Sequence, residues 1–134
     1  MPKKQINPDS LFPSLRYGFS QIVAASGRTT IHISGQTAWD RNQQIVGGKD
    51  LAQQARQALR NVQAAIEAAG GTLADIVSLR IYLVDYKEEQ AEAVGSVLRE
   101  FFPEEKRPAS TWIGVSALAV RDFLIEIEAT AVLE

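Results

Sequence analysis

The chain has 134 residues, 46% of them hydrophobic and 22% charged, which is typical of soluble globular proteins and predicts a single domain over residues 1–134. A formal net charge of -2 provides no basic surface for nucleic acid, and the absence of a long apolar run or signal sequence predicts no membrane contact and a cytoplasmic location. Because the chain has no cysteine, disulfides, thiolate nucleophiles and sulfur-ligated metals are excluded, and neither a metal nor another cofactor is expected.

The N-terminal part of the chain is predicted to contain a loop followed by a hairpin. Residues 1–15 are rich in Pro, Asn, Ser and Lys and predict an irregular lead-in, which Leu11 and Phe12 would attach to the body of the protein. Two runs rich in β-forming residues, 17–24 and 29–35, flank a turn that contains glycine. This arrangement predicts a β-hairpin.

Two helices are predicted from their N-terminal caps and from apolar residues spaced three and four apart. Asp50 is placed to cap the first helix, which should end at Gly70 because glycine readily adopts the left-handed conformation of a helix C-terminus. Asp85 and Glu88 have the spacing of a capping box and predict the start of the second helix. That helix should stop before Pro103.

Three further runs, rich in β-branched and aromatic residues, predict strands at 76–84, 107–115 and 124–132. The order is therefore hairpin, helix, strand, helix, strand, strand. Right-handed crossover connections would place both helices on the same side of the sheet. We therefore expect an α+β fold with a mixed six-stranded sheet and two helices on one face.

The face of this sheet without helices should carry an unusual mixture of side chains. Alternation along the strands places Glu126, Glu128, Arg80 and Tyr82 on it, next to apolar neighbours. Ionised carboxylates are costly to bury unless they are paired, yet the face is too apolar to be comfortably exposed. Burial between copies of the chain resolves this conflict, so we expect a homo-oligomer.

Several segments, taken in order along nearly the whole chain, resemble the RidA/YjgF family. The resemblance implies a fold similar to bacillus-type chorismate mutase, a homotrimer whose sheets form a central barrel, and ligand clefts between subunits. The segments that carry it are Asn7-Pro8, Phe19-Ser20-Gln21, Ser34-Gly35-Gln36, the predicted helix over residues 50–62, Ala68-Ala69-Gly70, Pro108-Ala109 and Ile125-Glu126-Ile127-Glu128-Ala129.

The resemblance also implies a reaction and a set of site residues. Family members hydrolyse reactive enamines and imines to a carbonyl compound and ammonia. Their cleft contains an arginine after a Pro-Ala pair, a cysteine two residues later, a tyrosine in the first strand, and a glutamate in the last strand that positions water. Glu126 matches the glutamate and is the expected catalytic residue. The expected substrate-binding residues are Phe19, Gly35, Ser110, Thr111 and Trp112.

Three of the four family positions differ in this chain. Ser110 stands where the arginine would be, Trp112 where the cysteine would be, and Phe19 where the tyrosine would be. Loss of the guanidinium should weaken carboxylate binding by about one to two powers of ten. Trp112 could instead fill the cleft or form a stacking wall for a larger or aromatic ligand. Whether Arg107 or Arg121 supplies the missing positive charge is left open.

Two classes of function therefore stay open. One is an enzyme that hydrolyses a C=N or enamine group, with Glu126 orienting water. The other is a non-catalytic trimer that binds a small molecule or a protein partner, in which Glu126 and Trp112 are structural. A ribonuclease activity is disfavoured because the chain is acidic and His32 is its only histidine.

Overall fold

The structure is a computed structural model that describes residues 3–134. Within this range three strands precede the first α-helix, one strand separates the two α-helices, and two strands follow them, with short 3₁₀ turns between several of these elements. The α+β class predicted from the sequence is confirmed. In chain order the elements are β1 (Lys3–Ile6), β2 (Ile22–Ala25), β3 (Thr29–Gln36), α1 (Leu51–Ala68), β4 (Ile76–Val84), α2 (Ala91–Phe101), β5 (Ala109–Val115) and β6 (Ile125–Leu133).

The strands divide into two sheets rather than one six-stranded sheet. The larger sheet has the order β3-β6-β4-β5, in which only β4 and β5 are parallel, and the smaller sheet pairs β1 with β2. The predicted hairpin between the second and third strands is therefore wrong, because β2 pairs with β1 and β3 pairs with β6. A single parallel bridge between Ser20 and Ala109 connects the segment before β2 to the edge strand β5.

Side chains of β1 explain why the small sheet lies at that edge. Lys3 Nζ donates hydrogen bonds to the carbonyls of Ala74 at 3.1 Å and Ile76 at 2.7 Å, and its burial lowers its pKa to about 8. Gln5 Nε2 donates to the carbonyl of Arg107 at 3.0 Å and to Ser20 Oγ at 2.6 Å. These long-range bonds hold β1, and with it β2, away from β3.

The predicted irregular lead-in over residues 1–15 must also be corrected. Residues 1 and 2 lie outside the described residues, and β1 follows immediately. Leu11 and Phe12 are 46% and 57% exposed, and Phe12 contacts the rest of the protein in an edge-to-face arrangement, with its ring centroid 6.2 Å from that of Phe19. Lys3 and Gln5 attach this segment more firmly through long-range hydrogen bonds, which hydropathy does not indicate.

Helix α1 begins and ends where its sequence signals predicted. The side chain of Asp50 accepts a hydrogen bond from the backbone N–H of Gln53, and Gly70 follows the helix with a φ of 94°. Its apolar stripe packs with that of α2 on one face of the large sheet. Within residues 3–134, no helix combines the length and apolar character needed to cross a membrane.

Helix α2 begins later than its predicted capping box. Asp85 has a φ of 49°, and its backbone N–H donates to the carbonyl of Val115, so it extends the contact between β4 and β5 instead of capping a helix. The chain then forms a 3₁₀ turn over Glu88–Gln90, in which the Gln90 side chain accepts from the N–H of Lys87. The α-helix follows from Ala91.

Candidate functional site

The sequence-predicted site residues lie on opposite faces of the large sheet. Strand register aligns Glu126 with Tyr82, and Tyr82 with Ile113, on the face without helices. Trp112 is instead aligned with Ile81 of the helix-covered core. Glu126 and Trp112 therefore cannot face one cleft within a single chain.

On the open face, the carboxylate of Glu126 lies directly against Gly35. A β-carbon built on Gly35 would lie only 2.7 Å from Glu126 Cδ, so a larger residue at this position would fit only if the Glu126 side chain moved. The close approach occurs where the register of β3 shifts between Ile33 and Gln36. Glu126 is half-buried, and within residues 3–134 its carboxylate forms no hydrogen bond or salt bridge, so it is available to a ligand or water.

The Gly35→Ala substitution should displace Glu126 without unfolding the protein. The added methyl group would overlap the end of a flexible side chain, which can rotate away at little cost. If Glu126 is catalytic, we expect kcat for imine hydrolysis to fall by roughly tenfold, since small misplacements of a catalytic group lower rates sharply. The thermal midpoint should change little.

Gly114→Ala is the matched control for this substitution, because a β-carbon at Gly114 would meet only Tyr86 Cβ at 3.4 Å. Steady-state kinetics and thermal unfolding of both variants test the prediction. Equal activity in Gly35→Ala and Gly114→Ala would show that the position of Glu126 does not matter for turnover.

The second glutamate of β6 is engaged with neighbouring side chains. Tyr82 Oη donates a short hydrogen bond to Glu128 Oε1, and this bond raises the pKa of Tyr82. Arg80 is aligned with both Glu128 and Thr111, and Thr111 is exposed on the same open face. Among residues 3–134, Glu128 therefore has a hydrogen-bond partner and Glu126 has none.

On the other side of the sheet, four aromatic rings form a continuous row. The ring centroids of Trp112 and Phe19 are 6.3 Å apart, those of Phe19 and Phe12 are 6.2 Å apart, and those of Phe12 and Tyr17 are 6.2 Å apart. The row lines a cavity of about 450 Å³, which we call the aromatic pocket. Its lining residues are Phe12, Arg16, Tyr17, Phe19, Tyr86, Ala91, Ser110 and Trp112.

Two of the departures from the family pattern are coupled in this pocket. The indole nitrogen of Trp112 donates a hydrogen bond to Ser110 Oγ at 3.1 Å. Ser110, which occupies the arginine position, therefore holds the orientation of Trp112. The ring of Trp112 packs against the core and also lines the pocket, so it has a structural and a ligand-facing surface.

The structure excludes Arg107 as a replacement for the missing arginine. Its side chain is almost fully buried, with Nε donating to the carbonyl of Phe102 at 3.0 Å and Nη1 donating to that of Leu15 at 2.8 Å. The Arg107 guanidinium therefore donates its hydrogen bonds to backbone carbonyls and is not available to a ligand. Arg121 is exposed in the loop before β6 and does not line the aromatic pocket.

The pocket has a cation that sequence reasoning missed. Arg16 lies in the short turn Leu15–Tyr17, between the predicted lead-in over residues 1–15 and the predicted strand that begins at residue 17, and its side chain lines the cavity together with Ser110. Its neighbours Phe12, Tyr17 and Phe19 form an aromatic cluster in the sequence. That cluster was the only feature of the sequence that pointed to a binding site around Arg16, because no periodic pattern includes the arginine.

Comparison with known proteins places the chain among similar sequences over nearly its whole length. A protein-family model described as Endoribonuclease L-PSP matches residues 12–133. The chain is 34% identical over 131 residues to the 3-aminoacrylate deaminase RutC of Acinetobacter baylyi, covering 98% of each chain. It is 30% identical over 135 residues to a 2-iminobutanoate/2-iminopropanoate deaminase of Dermatophagoides farinae, covering 100% of both.

Comparison with solved structures also finds similar proteins over nearly the whole chain. A Yersinia pestis protein of unknown function, YyfB of the conserved Rid protein family, superposes with a TM-score of 0.95 and 41% identity, covering 99% of this chain and 100% of the other. Rv2704 of Mycobacterium tuberculosis, a YjgF/YER057c/UK114 family member, gives a TM-score of 0.67 and 33% identity, with 98% and 99% coverage.

Proposed function

Because the chain belongs to the Endoribonuclease L-PSP family, which includes the RidA/YjgF proteins, we propose that it hydrolyses a small imine or enamine. In this reaction a 2-imino acid and water give a 2-keto acid and ammonia. The observation that carries the proposal is the carboxylate of Glu126, which is held against Gly35 and has no partner in the described part of the chain. Two relatives named for deamination of 3-aminoacrylate and of 2-iminobutanoate support the choice of substrate class.

We further propose that residues 1–134 act as one domain in a cytoplasmic homotrimer whose clefts lie between copies. The separation of Glu126 from Ser110 and Trp112 supports this assembly, since two faces of one sheet can meet only across a contact between chains. The open face would then line the trimer axis. Glu126 of one copy would face the aromatic pocket of the next.

In the proposed reaction, Glu126 acts as a general base on a bound water molecule. It accepts a proton as the water oxygen attacks the C=N carbon, whose nitrogen takes up a proton. The resulting carbinolamine loses its C–N bond as the nitrogen leaves as ammonia and the hydroxyl becomes the carbonyl. The substrate-binding residues are Phe19, Gly35, Ser110, Thr111 and Trp112.

A second candidate function is a trimer that binds a small molecule or a protein without catalysis. The observation that favours it is the hydrogen bond between Trp112 and Ser110, which leaves no side chain at that position to clamp a carboxylate. A catalytic protein would accelerate imine hydrolysis in a turnover assay, whereas a protein that only binds its ligand would not.

The deciding experiment generates imines in situ with an amino-acid oxidase and traps the remaining imine with semicarbazide. We expect the protein to lower the yield of semicarbazone and to accelerate the release of ammonia. Light scattering should give the mass of three chains. A protein that binds imine analogues but accelerates none of the imines would establish the non-catalytic alternative, and a monomer would remove the proposed cleft.

A further inference from the structure

The aromatic pocket is lined by the guanidinium of Arg16, which has no carboxylate partner in the described part of the chain. Arg16 is exposed, and its Cζ lies 5.1 Å from the centroid of the Tyr17 ring, with Nη2 donating to Tyr17 Oη at 3.2 Å. Within residues 3–134, the salt bridges are Arg56–Glu100 and Arg99–Glu92, so no described carboxylate pairs with Arg16.

The backbone at Arg16 is fixed although its side chain faces the pocket. Its carbonyl accepts a hydrogen bond from Arg99 Nη1 at 2.7 Å, and that of the preceding Leu15 accepts from Arg107 Nη1 at 2.8 Å. Both bonds involve the main chain of the turn, so they survive a change of the Arg16 side chain. These two bonds therefore hold in place the backbone that carries the Arg16 guanidinium.

The rest of the pocket suits a flat ring. Phe12 and Tyr17 are 57% and 39% exposed, so a bound ring would remove apolar surface from water at little cost in polar desolvation. Trp112 is held in orientation by Ser110, which makes it a preorganised wall. The phenol of Tyr86 also lines the cavity, and burial raises its pKa.

We propose that Arg16 binds the carboxylate of an aromatic ligand whose ring lies against Phe19 and Trp112. The cavity of about 450 Å³ is much larger than a three-carbon or four-carbon imino acid requires, and it accommodates an aryl side chain. A guanidinium matches a carboxylate bidentately, so Arg16 supplies from another element the interaction that Ser110 does not. Together with the proposed function, on which this part rests, the inference names an aromatic 2-imino acid as the substrate class.

The test measures binding of four stable probes by calorimetry, so that it does not depend on turnover. The probes are 3-phenylpropanoate, its neutral amide 3-phenylpropanamide, and the ringless pair propanoate and propanamide. We expect 3-phenylpropanoate to bind at least tenfold more tightly than either its amide or propanoate. Arg16→Gln should reduce the affinity for 3-phenylpropanoate to that for the amide.

Arg60→Gln is the matched control. Arg60 is exposed on α1, so this substitution removes the same positive charge at a position outside the pocket. Equal affinities for the acid and the amide, no detectable binding of 3-phenylpropanoate, or equal effects of the two arginine variants would each overturn the proposal. Binding without any imine turnover would instead overturn the proposed function alone and leave the Arg16 site in place.

Discussion

Glu126→Gln is expected to lower kcat for imine hydrolysis by about 100-fold or more while the protein remains folded and oligomeric. Glutamine has nearly the same shape as glutamate but cannot accept a proton from water, and general-base catalysis typically contributes factors of about 10² to 10⁴. The Glu126 carboxylate has no hydrogen-bond partner within residues 3–134, so the substitution removes no described contact. The measurement is steady-state production of ammonia with imines generated in situ.

Glu128→Gln provides the control for this prediction, because it makes the same chemical change two residues further along β6. Glutamine can still accept the hydrogen bond from Tyr82, so activity should stay within about threefold of the original protein, an effect below 1 kcal/mol. If Glu126→Gln retains full activity, the carboxylate has no role in the chemistry and the proposed mechanism is wrong.

Gln54→Leu is expected to cause the largest loss of stability, about 3 to 5 kcal/mol of the free energy of unfolding. The Gln54 side chain is fully buried and makes three hydrogen bonds to backbone groups of separate segments. Its Nε2 donates to the carbonyls of Gly48 at 2.7 Å and Asp122 at 2.9 Å, and its Oε1 accepts from the N–H of Leu124 at 2.9 Å. Leucine fills a similar volume but leaves all three backbone groups without this partner.

Gln63→Leu tests whether the loss comes from these hydrogen bonds or from the residue type. Gln63 also lies on α1 and is half-buried, but its side chain makes no hydrogen bond in the described chain. Denaturant unfolding followed by circular dichroism should show a change within about 0.5 kcal/mol for this variant. A similar small change in Gln54→Leu would mean that the three backbone groups find other partners.

Local patterns in the sequence identified the elements that depend on near neighbours. Asp50 caps α1 as expected because a helix cap needs only a side-chain oxygen and an N–H three residues away. Alternation placed Glu126 and Tyr82 on one face of the sheet because the strand period is two. The family resemblance rests on such local segments and correctly indicated the fold class.

The same local reasoning failed wherever distant segments decided the outcome. Asp85 has the spacing of a capping residue, but its N–H bonds to Val115 across the β4–β5 pair. Arg107 looked like a spare cation beside the lost arginine, but it bonds to Leu15, 92 positions away. Hydrogen bonds of this range leave no periodic trace in the sequence.

The sequence by itself therefore determined the α+β class, the two amphipathic helices, the strand faces and the acidic residue of the candidate site. Only the tertiary structure decided that β1 pairs with β2, that Glu126 and Trp112 lie on opposite faces, and that Arg16 reaches the aromatic pocket. The reason is physical. Periodicity and capping depend on residues within one or two turns, whereas sheet order and side-chain convergence depend on contacts between segments that the fold brings together.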